Sequence, residues 1–270
     1  MPVPSRPPIA LTIAGSDSGG GAGIQADTKT MSAHGVFAAS VLTAITAQNT
    51  TAVTAVQEVP ADVVAAQIHA VLSDLDVRAI KLGMLSSAAI IEATADGLAG
   101  FAGPIVVDPV MIAKTGHALL HDSAVDAMTR RILPLATLLT PNLPEAARLV
   151  GDASAISPDE MADQAMRLLA LGPRAVLMKG GHASGPTCTD VLVDASGVVA
   201  TLRAPRLATR NTHGTGCTYS AAIAAQLALG ENLPDAVTAA HHYLQGAIAA
   251  ADRLNIGAGH GPVHHFHRWW

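Results

Sequence analysis

Short apolar or β-branched runs alternate along this chain with longer alanine-rich stretches of helical period. That alternation leaves few folds open, because it is the pattern of a mostly parallel sheet covered by helices on both faces. It predicts strands over 9–14, 40–46, 51–57, 79–82, 105–107, 137–139 and 175–178, and helices over 23–33, 62–75, 88–98, 123–133, 145–150 and 158–171. Near the end, 190–193 and 198–202 flank Ala195-Ser196-Gly197 and read as an antiparallel hairpin on one sheet edge, followed by helices over 216–229 and 235–254. No repeat, low-complexity tract or linker divides the sequence. The expectation is a short disordered leader at 1–8 and then a single doubly wound α/β domain over 9–270.

Ligands of such sheets bind where strand C-termini meet loops, and the glycine-rich and polar punctuation falls there, at 15–23, 83–86, 108–116, 140–142, 180–185 and 212–217. The chain of 270 residues is half apolar, yet polar residues interrupt every apolar run before it reaches the roughly 18–20 residues of a membrane span. The start of the chain lacks the features of a secretory signal, which makes the cytoplasm the expected location. Two cysteines, Cys188 and Cys217, suit a reducing compartment. A net charge of −5 without a basic stripe, and aromatics at 3%, argue against nucleic acid as a partner.

The segment from Ala14 to Gly23 follows a strand and opens a helix, where free N–H groups favour an anionic or polar ligand. It is not read as a dinucleotide fingerprint, because no acid stands at the end of the next strand, and no G-x4-G-K-[ST] occurs anywhere. Thr212-His213-Gly214-Thr215-Gly216-Cys217 precedes another alanine-rich helix, so the amides of Gly214, Thr215, Gly216 and Cys217 are expected to converge as an anion hole for a phosphoryl group in flight. A thiol at a helix N-terminus is drawn toward a lower pKa, which makes Cys217 a candidate base; the plain alternative is a small buried hydrophobe. Cys188 reads as incidental.

Asn142 and Glu145, three apart at a helix start, are candidate holders of hydrated Mg²⁺, or else simply an N-cap with a first-turn acid. Asp108 and Lys179 end strands, where a carboxylate suits a metal and an ammonium suits phosphate; the alternative is a surface ion pair. The histidine-rich tail from His264 to His267 is not read as a metal site. The loop 113–117 is a candidate lid over phosphates.

Taken in order, eight segments resemble one family, the hydroxymethylpyrimidine/phosphomethylpyrimidine kinases of thiamine biosynthesis, within the ribokinase-like superfamily. They are 14–27 (AGSDSGGGAGIQAD), 47–49 (AQN), 83–85 (GML), 107–111 (VDPVM), 140–146 (TPNLPEA), 179–182 (KGGH), 211–218 (NTHGTGCT) and 261–270 (GPVHHFHRWW). The resemblance implies a ribokinase-like fold, ATP and Mg²⁺, a homodimer, and two successive phosphorylations of 4-amino-5-hydroxymethyl-2-methylpyrimidine. It also implies roles. Gln48 would read the pyrimidine edge, and Gly15, Ala22, Asp27, Met84 and Val110 would line its pocket. Cys217 would be the base, Lys179 and Thr212 would contact ATP phosphates, and Asp108, Asn142 and Glu145 would organise Mg²⁺. A pyridoxal-type kinase of the same superfamily and a catalytically inactive ligand-binding relative are the competing readings.

Overall fold

The computed structural model describes residues 6–111 and 122–270. Positions 1–5 of the expected leader and the whole candidate lid at 113–117 lie outside those residues. In chain order the elements are β1 (Ile9–Asp17), α1 (Gly23–Ala33), β2 (Phe37–Gln48), β3 (Val53–Glu58), α2 (Ala61–Leu72), β4 (Val77–Leu82), α3 (Ala88–Gly97), β5 (Ile105–Val107), α4 (Asp122–Ala127), β6 (Leu138–Leu139), α5 (Leu143–Val150), α6 (Pro158–Leu169), β7 (Ala175–Met178), β8 (Thr187–Asp194), β9 (Gly197–Pro205), α7 (Thr215–Ala228) and α8 (Leu233–Ala249).

The nine strands among the described residues form one sheet in the order β3-β2-β1-β4-β5-β6-β7-β8-β9. From β2 to β7 the pairs are parallel, while β7, β8 and β9 run antiparallel, so the expected hairpin lies at one edge. The other edge is also antiparallel, because β3 turns straight back along β2 without a helix between them. Two boundaries differ from expectation in ways that matter for function. β1 continues through Gly15 and Ser16 to Asp17, so the first part of the expected glycine loop is still strand. The helix expected over 123–133 is instead α4, a π turn over Met128–Ile132 and a 3-10 turn over Leu133–Leu135 that contains Pro134, which cannot donate to a helical ladder.

Both faces of the sheet are covered, and the two-residue period of the strands sorts side chains between them. Leu11, Ile13, Ile80, Leu82, Ile105, Val107, Leu139, Val176 and Met178 pack into one buried layer with residues of α2, α3, α5 and α6. The residues between them, Ala10, Ala79, Val106, Leu138, Ala175 and Leu177, face a second layer built with α7 and α8, and with Met31 of α1. Each fully buried Leu, Ile or Val contributes about 1.5–3 kcal/mol relative to exposure, and continuous apolar strands are what a sheet buried on both faces requires. Among the described residues no helix is long and apolar enough to cross a membrane.

Candidate active site

Parallel strands point their C-terminal ends the same way, and the loops leaving those ends enclose a cavity of about 800 Å³. Its lining draws on all six polar loop segments: Ala14–Gly23 by way of Gly15, Asp17 and Ala22; Met84; Asp108 and Val110; Asn142 and Glu145; Gly181 and His182; and Thr212 through Cys217. Of the expected site residues, Gly15, Ala22, Gln48, Met84, Asp108, Val110, Asn142, Glu145, Lys179, Thr212, Gly214, Thr215, Gly216 and Cys217 all reach this one space.

Asp27 does not. It sits on α1 behind the cavity wall, completely buried, where its Oδ2 accepts from the Thr12 hydroxyl at 2.6 Å and from Lys81 Nζ at 2.8 Å. Burial pushes its carboxyl up, against the opposing pull of Lys81 and Thr12. The expected role for Asp27 in lining a substrate pocket therefore gives way to a role beneath it.

Two glycine-rich segments interlock at one end of the cavity. Gly214 caps α7 with a φ of 78°, a left-handed conformation that side chains resist, and a Cβ there would overlap the carbonyl oxygen of Gly21. Asp17 ties the two segments together. Its Oδ1 accepts from the Gly19 amide at 2.8 Å, its Oδ2 accepts from the amides of Gly21 and Ala22 at 3.1 and 2.9 Å, and His213 Nε2 lies 2.9 Å from the same oxygen. Burial raises the Asp17 carboxyl, but the His213 contact and the amides outweigh it and hold the pKa below the usual value. His213 Nε2 also lies 3.3 Å from Gln48 Nε2, and Gln48 Oε1 accepts from the Thr46 hydroxyl at 3.0 Å. Asp17 and His213 were not singled out from the sequence, although both stand inside motifs that were. The C-terminal tail braces this corner: His213 N–H donates to Gly261 O at 3.0 Å, and Val263 N–H donates to His213 O at 3.2 Å.

At the start of α7 the expected hole of four amides is reduced. Thr215 N–H turns back to Thr212 O at 3.3 Å, and among the described residues the amides of Gly214, Gly216 and Cys217 have no protein acceptor. Gly216 lies directly above the other charged centre: a Cβ built on it would stand 3.4 Å from both Lys179 Nζ and Asp108 Oδ2. Lys179 Nζ is 2.7 Å from Asp108 Oδ1, and the two side chains are 12% and 2% exposed. This is not the surface ion pair that the sequence left open. Burial lowers the Lys179 pKa, yet Asp108 and Glu145 more than compensate and keep it raised.

Asn142 and Glu145 form a capping box on α5. Asn142 Oδ1 accepts from Glu145 N–H at 2.9 Å, and Glu145 Oε2 accepts from Asn142 N–H at 2.8 Å. The helix-capping alternative is therefore realised, and it occupies one oxygen of each side chain. Burial first, and then the negative charge of Asp108, push the Glu145 carboxyl up to about 7 despite the pull of Lys179. A buried carboxyl and a half-buried one beside one ammonium form an electron-rich corner that suits a divalent cation bound mainly through nucleotide phosphates. Among the described residues no cluster of three acidic, histidine or cysteine groups forms a protein-only metal cage.

Cys217 departs furthest from expectation. Instead of falling toward neutrality, its pKa is pushed up to about 11, first by burial and then by the carboxylates of Asp27 and Asp108, against Lys81 and the Gly23 amide. Desolvation thus outweighs the helix N-terminus. Cys188, expected to be incidental, lines the same cavity near Arg206, whose guanidinium donates to the carbonyls of Gly181, Ala183 and Gly185 and pins that loop. Asp190, also missed, accepts from the Gly180 amide at 2.8 Å, and burial raises its carboxyl to about 6.

Known proteins resemble this chain in sequence and in fold. A family profile described as phosphomethylpyrimidine kinase matches residues 17–264. A hydroxymethylpyrimidine/phosphomethylpyrimidine kinase of Rhizobium meliloti is 60% identical over 262 residues, covering 97% of this chain and 98% of its own length. Among solved structures, a phosphomethylpyrimidine kinase from Clostridium difficile aligns with a TM-score of 0.78 at 43% identity, covering 89% of this chain and 99% of that one. A Bacillus subtilis pyridoxal kinase in complex with ADP aligns with a TM-score of 0.88 at 35% identity, covering 98% and 100%.

Proposed function

The chain belongs to the phosphomethylpyrimidine kinase family, and from that premise we propose that it is the phosphotransferase that converts 4-amino-5-hydroxymethyl-2-methylpyrimidine to its monophosphate and then to its diphosphate for thiamine biosynthesis, with ATP as donor. The observation that carries this reading is the meeting, in one cavity, of the unpaired amides at the start of α7, the Lys179–Asp108 pair and Gln48.

In the first transfer the bond between the γ-phosphorus and the ADP oxygen breaks as a bond to the hydroxymethyl oxygen forms, and the hydroxyl proton passes to the deprotonated fraction of Cys217. Amides of Gly214, Gly216 and Cys217 donate to the phosphoryl oxygens as charge spreads over them, each such donor being worth about 3 kcal/mol in comparable sites. Lys179 and Thr212 hold the donor's phosphates. Gln48, oriented by Thr46 and next to His213, reads the amino and ring-nitrogen edge of the heterocycle, while Gly15, Ala22, Met84 and Val110 supply its walls. Asp108 and Glu145, with Asn142 beside them, would hold Mg²⁺, which supplies charge neutralisation on the nucleotide. The second acceptor is a phosphate with no hydroxyl proton to remove, so that step relies on positioning.

Residues 9–270 act as one kinase domain in this reading. The protein works in the cytoplasm, where its two free cysteines would stay reduced. Exposed Phe37, Ile45 and Val56 on the β2–β3 edge supply a surface for a homodimer. A secondary activity on pyridoxal-like alcohols is favoured by the likeness to the Bacillus subtilis enzyme over nearly the whole chain.

The test is ADP release measured with the pyrimidine alcohol, its monophosphate and pyridoxal as separate acceptors. Turnover of both pyrimidines, with pyridoxal slower, is expected. No ADP release with either pyrimidine would overturn the reading, and a preference for pyridoxal would transfer it to the second.

A further inference from the structure

Lys81 is a charged residue in the buried half of β4, whose other charged residue, Arg78, is exposed. On β4 it follows Ile80 and precedes Leu82, which face the layer of α2 and α3, so the strand period turns Lys81 with Ala79 toward the opposite face, where α7 packs against β4. Thr12, its register partner on β1, faces the same way. Asp27 comes from α1, which packs against α7. Lys81, Asp27 and Thr12 thus form one hydrogen-bonded unit on the side that carries Cys217.

Packing does not require this unit. Lys81 and Asp27 are both entirely buried, and an apolar pair of similar volume would fill the space without the cost of desolvating two charges. Nor is the pair saturated. Asp27 Oδ1 has no partner, and among the described residues Asp27 is the one hydrogen-bond acceptor of Lys81, which leaves two of its three N–H bonds uncommitted. Lys81 also belongs to the lining of the catalytic cavity. Gly83 makes room for it, since a Cβ at that position would stand 2.7 Å from Lys81 Nζ.

We propose that Lys81, held in place by Asp27 and Thr12, is a positioning residue that sets positive charge beneath Cys217 and governs how readily that thiol releases its proton. This rests on the kinase reading only for its catalytic meaning; the electrostatic claim stands on its own. Lys81 from β4, Asp108 beyond β5 and Lys179 beyond β7 line the same cavity as Cys217, and Asp27 from α1 lies behind Lys81. Lys81 opposes burial more strongly than any other group, and Asp27 works against it, so the two members of one ion pair act on the thiol with opposite sign.

That opposition supplies the test. Iodoacetamide labelling of the Cys217 peptide, followed by mass across a pH series in the full-length protein, reads the ionisation of this thiol separately from Cys188. Lys81→Met is expected to move the labelling profile alkaline by about one pH unit or more, and Asp27→Asn to move it the other way. The double variant Lys81→Met, Asp27→Asn strands neither charge, so it remains informative if a single variant fails to fold; its profile should move alkaline by less than that of Lys81→Met. A purely structural pair would change stability and leave the profile of the double variant where the wild type has it, and that result would overturn the proposal. Should the profiles shift as expected while phosphorylation of the pyrimidine alcohol keeps its original pH dependence, the base role of Cys217 fails and the electrostatic assignment survives.

Discussion

Two lysine–aspartate pairs of nearly equal length each contribute their lysine to the lining of the same cavity. Lys179 and Asp108 are 2.7 Å apart and open to the cavity; Lys81 and Asp27 are 2.8 Å apart and sealed from solvent. The chemistry is the same, but the surroundings differ. The first pair shares its corner with a second carboxyl, Glu145, and lies under the free amides of α7, so a phosphate and a cation can enter and reorganise it. The second is fully buried, and its field acts on whatever is fixed beside it. Burial alone therefore does not identify function: in the roles proposed here the open pair handles ligands and the closed pair tunes a neighbour.

The largest expected effect comes from breaking the sealed pair. Lys81→Met leaves a buried carboxylate without its counter-ion and should cost about 3–5 kcal/mol of stability, measured by urea denaturation. Lys179→Met should behave in the opposite manner. Asp108 can be resolvated from the cavity, so the loss in stability should be small, while kcat falls by about 10²–10³ as the phosphoryl group loses a charged contact. If both variants lose the same stability and neither loses turnover selectively, the contrast between the pairs fails.

A pH experiment sharpens the comparison from the open side. The Glu145 carboxyl is raised to about 7, so it gains its proton in the folded protein at a pH where an unfolded chain would keep it charged. Below that value the corner loses a negative charge. Apparent affinity for the metal–nucleotide complex should fall by up to about tenfold per pH unit as pH drops from 7 to 6, and Glu145→Gln should flatten that dependence. The sign for stability follows from the same shift: a raised acid destabilises the folded state as pH climbs from about 4.5 toward 7.

Much of this architecture is legible in the sequence because it rests on local rules. The strand and helix order follows from period alone, and all six polar loop segments meet in one cavity because parallel strands deliver their ends to one side. What escaped the sequence depends on distance and on solvent. The elevated thiol of Cys217 is set by desolvation and by carboxylates brought from α1 and from just beyond β5, which no helix-dipole argument supplies. His213 and Asp17 lie 196 residues apart and meet only once two glycine segments interlock. Lys81 did leave a signal, a lone charge within Ala79-Ile80-Lys81-Leu82, where a strand buried on both faces has no surface to offer it.

The most direct test of the site as a whole is Cys217→Ala, assayed by ADP release with the pyrimidine alcohol and its monophosphate as separate acceptors across a pH range. The wild-type rate on the alcohol should climb with pH through the neutral range, as expected below a thiol pKa of about 11. The variant should lose this step, and the monophosphate step should be affected far less. Near wild-type rates for Cys217→Ala on the alcohol would contradict the base role of Cys217.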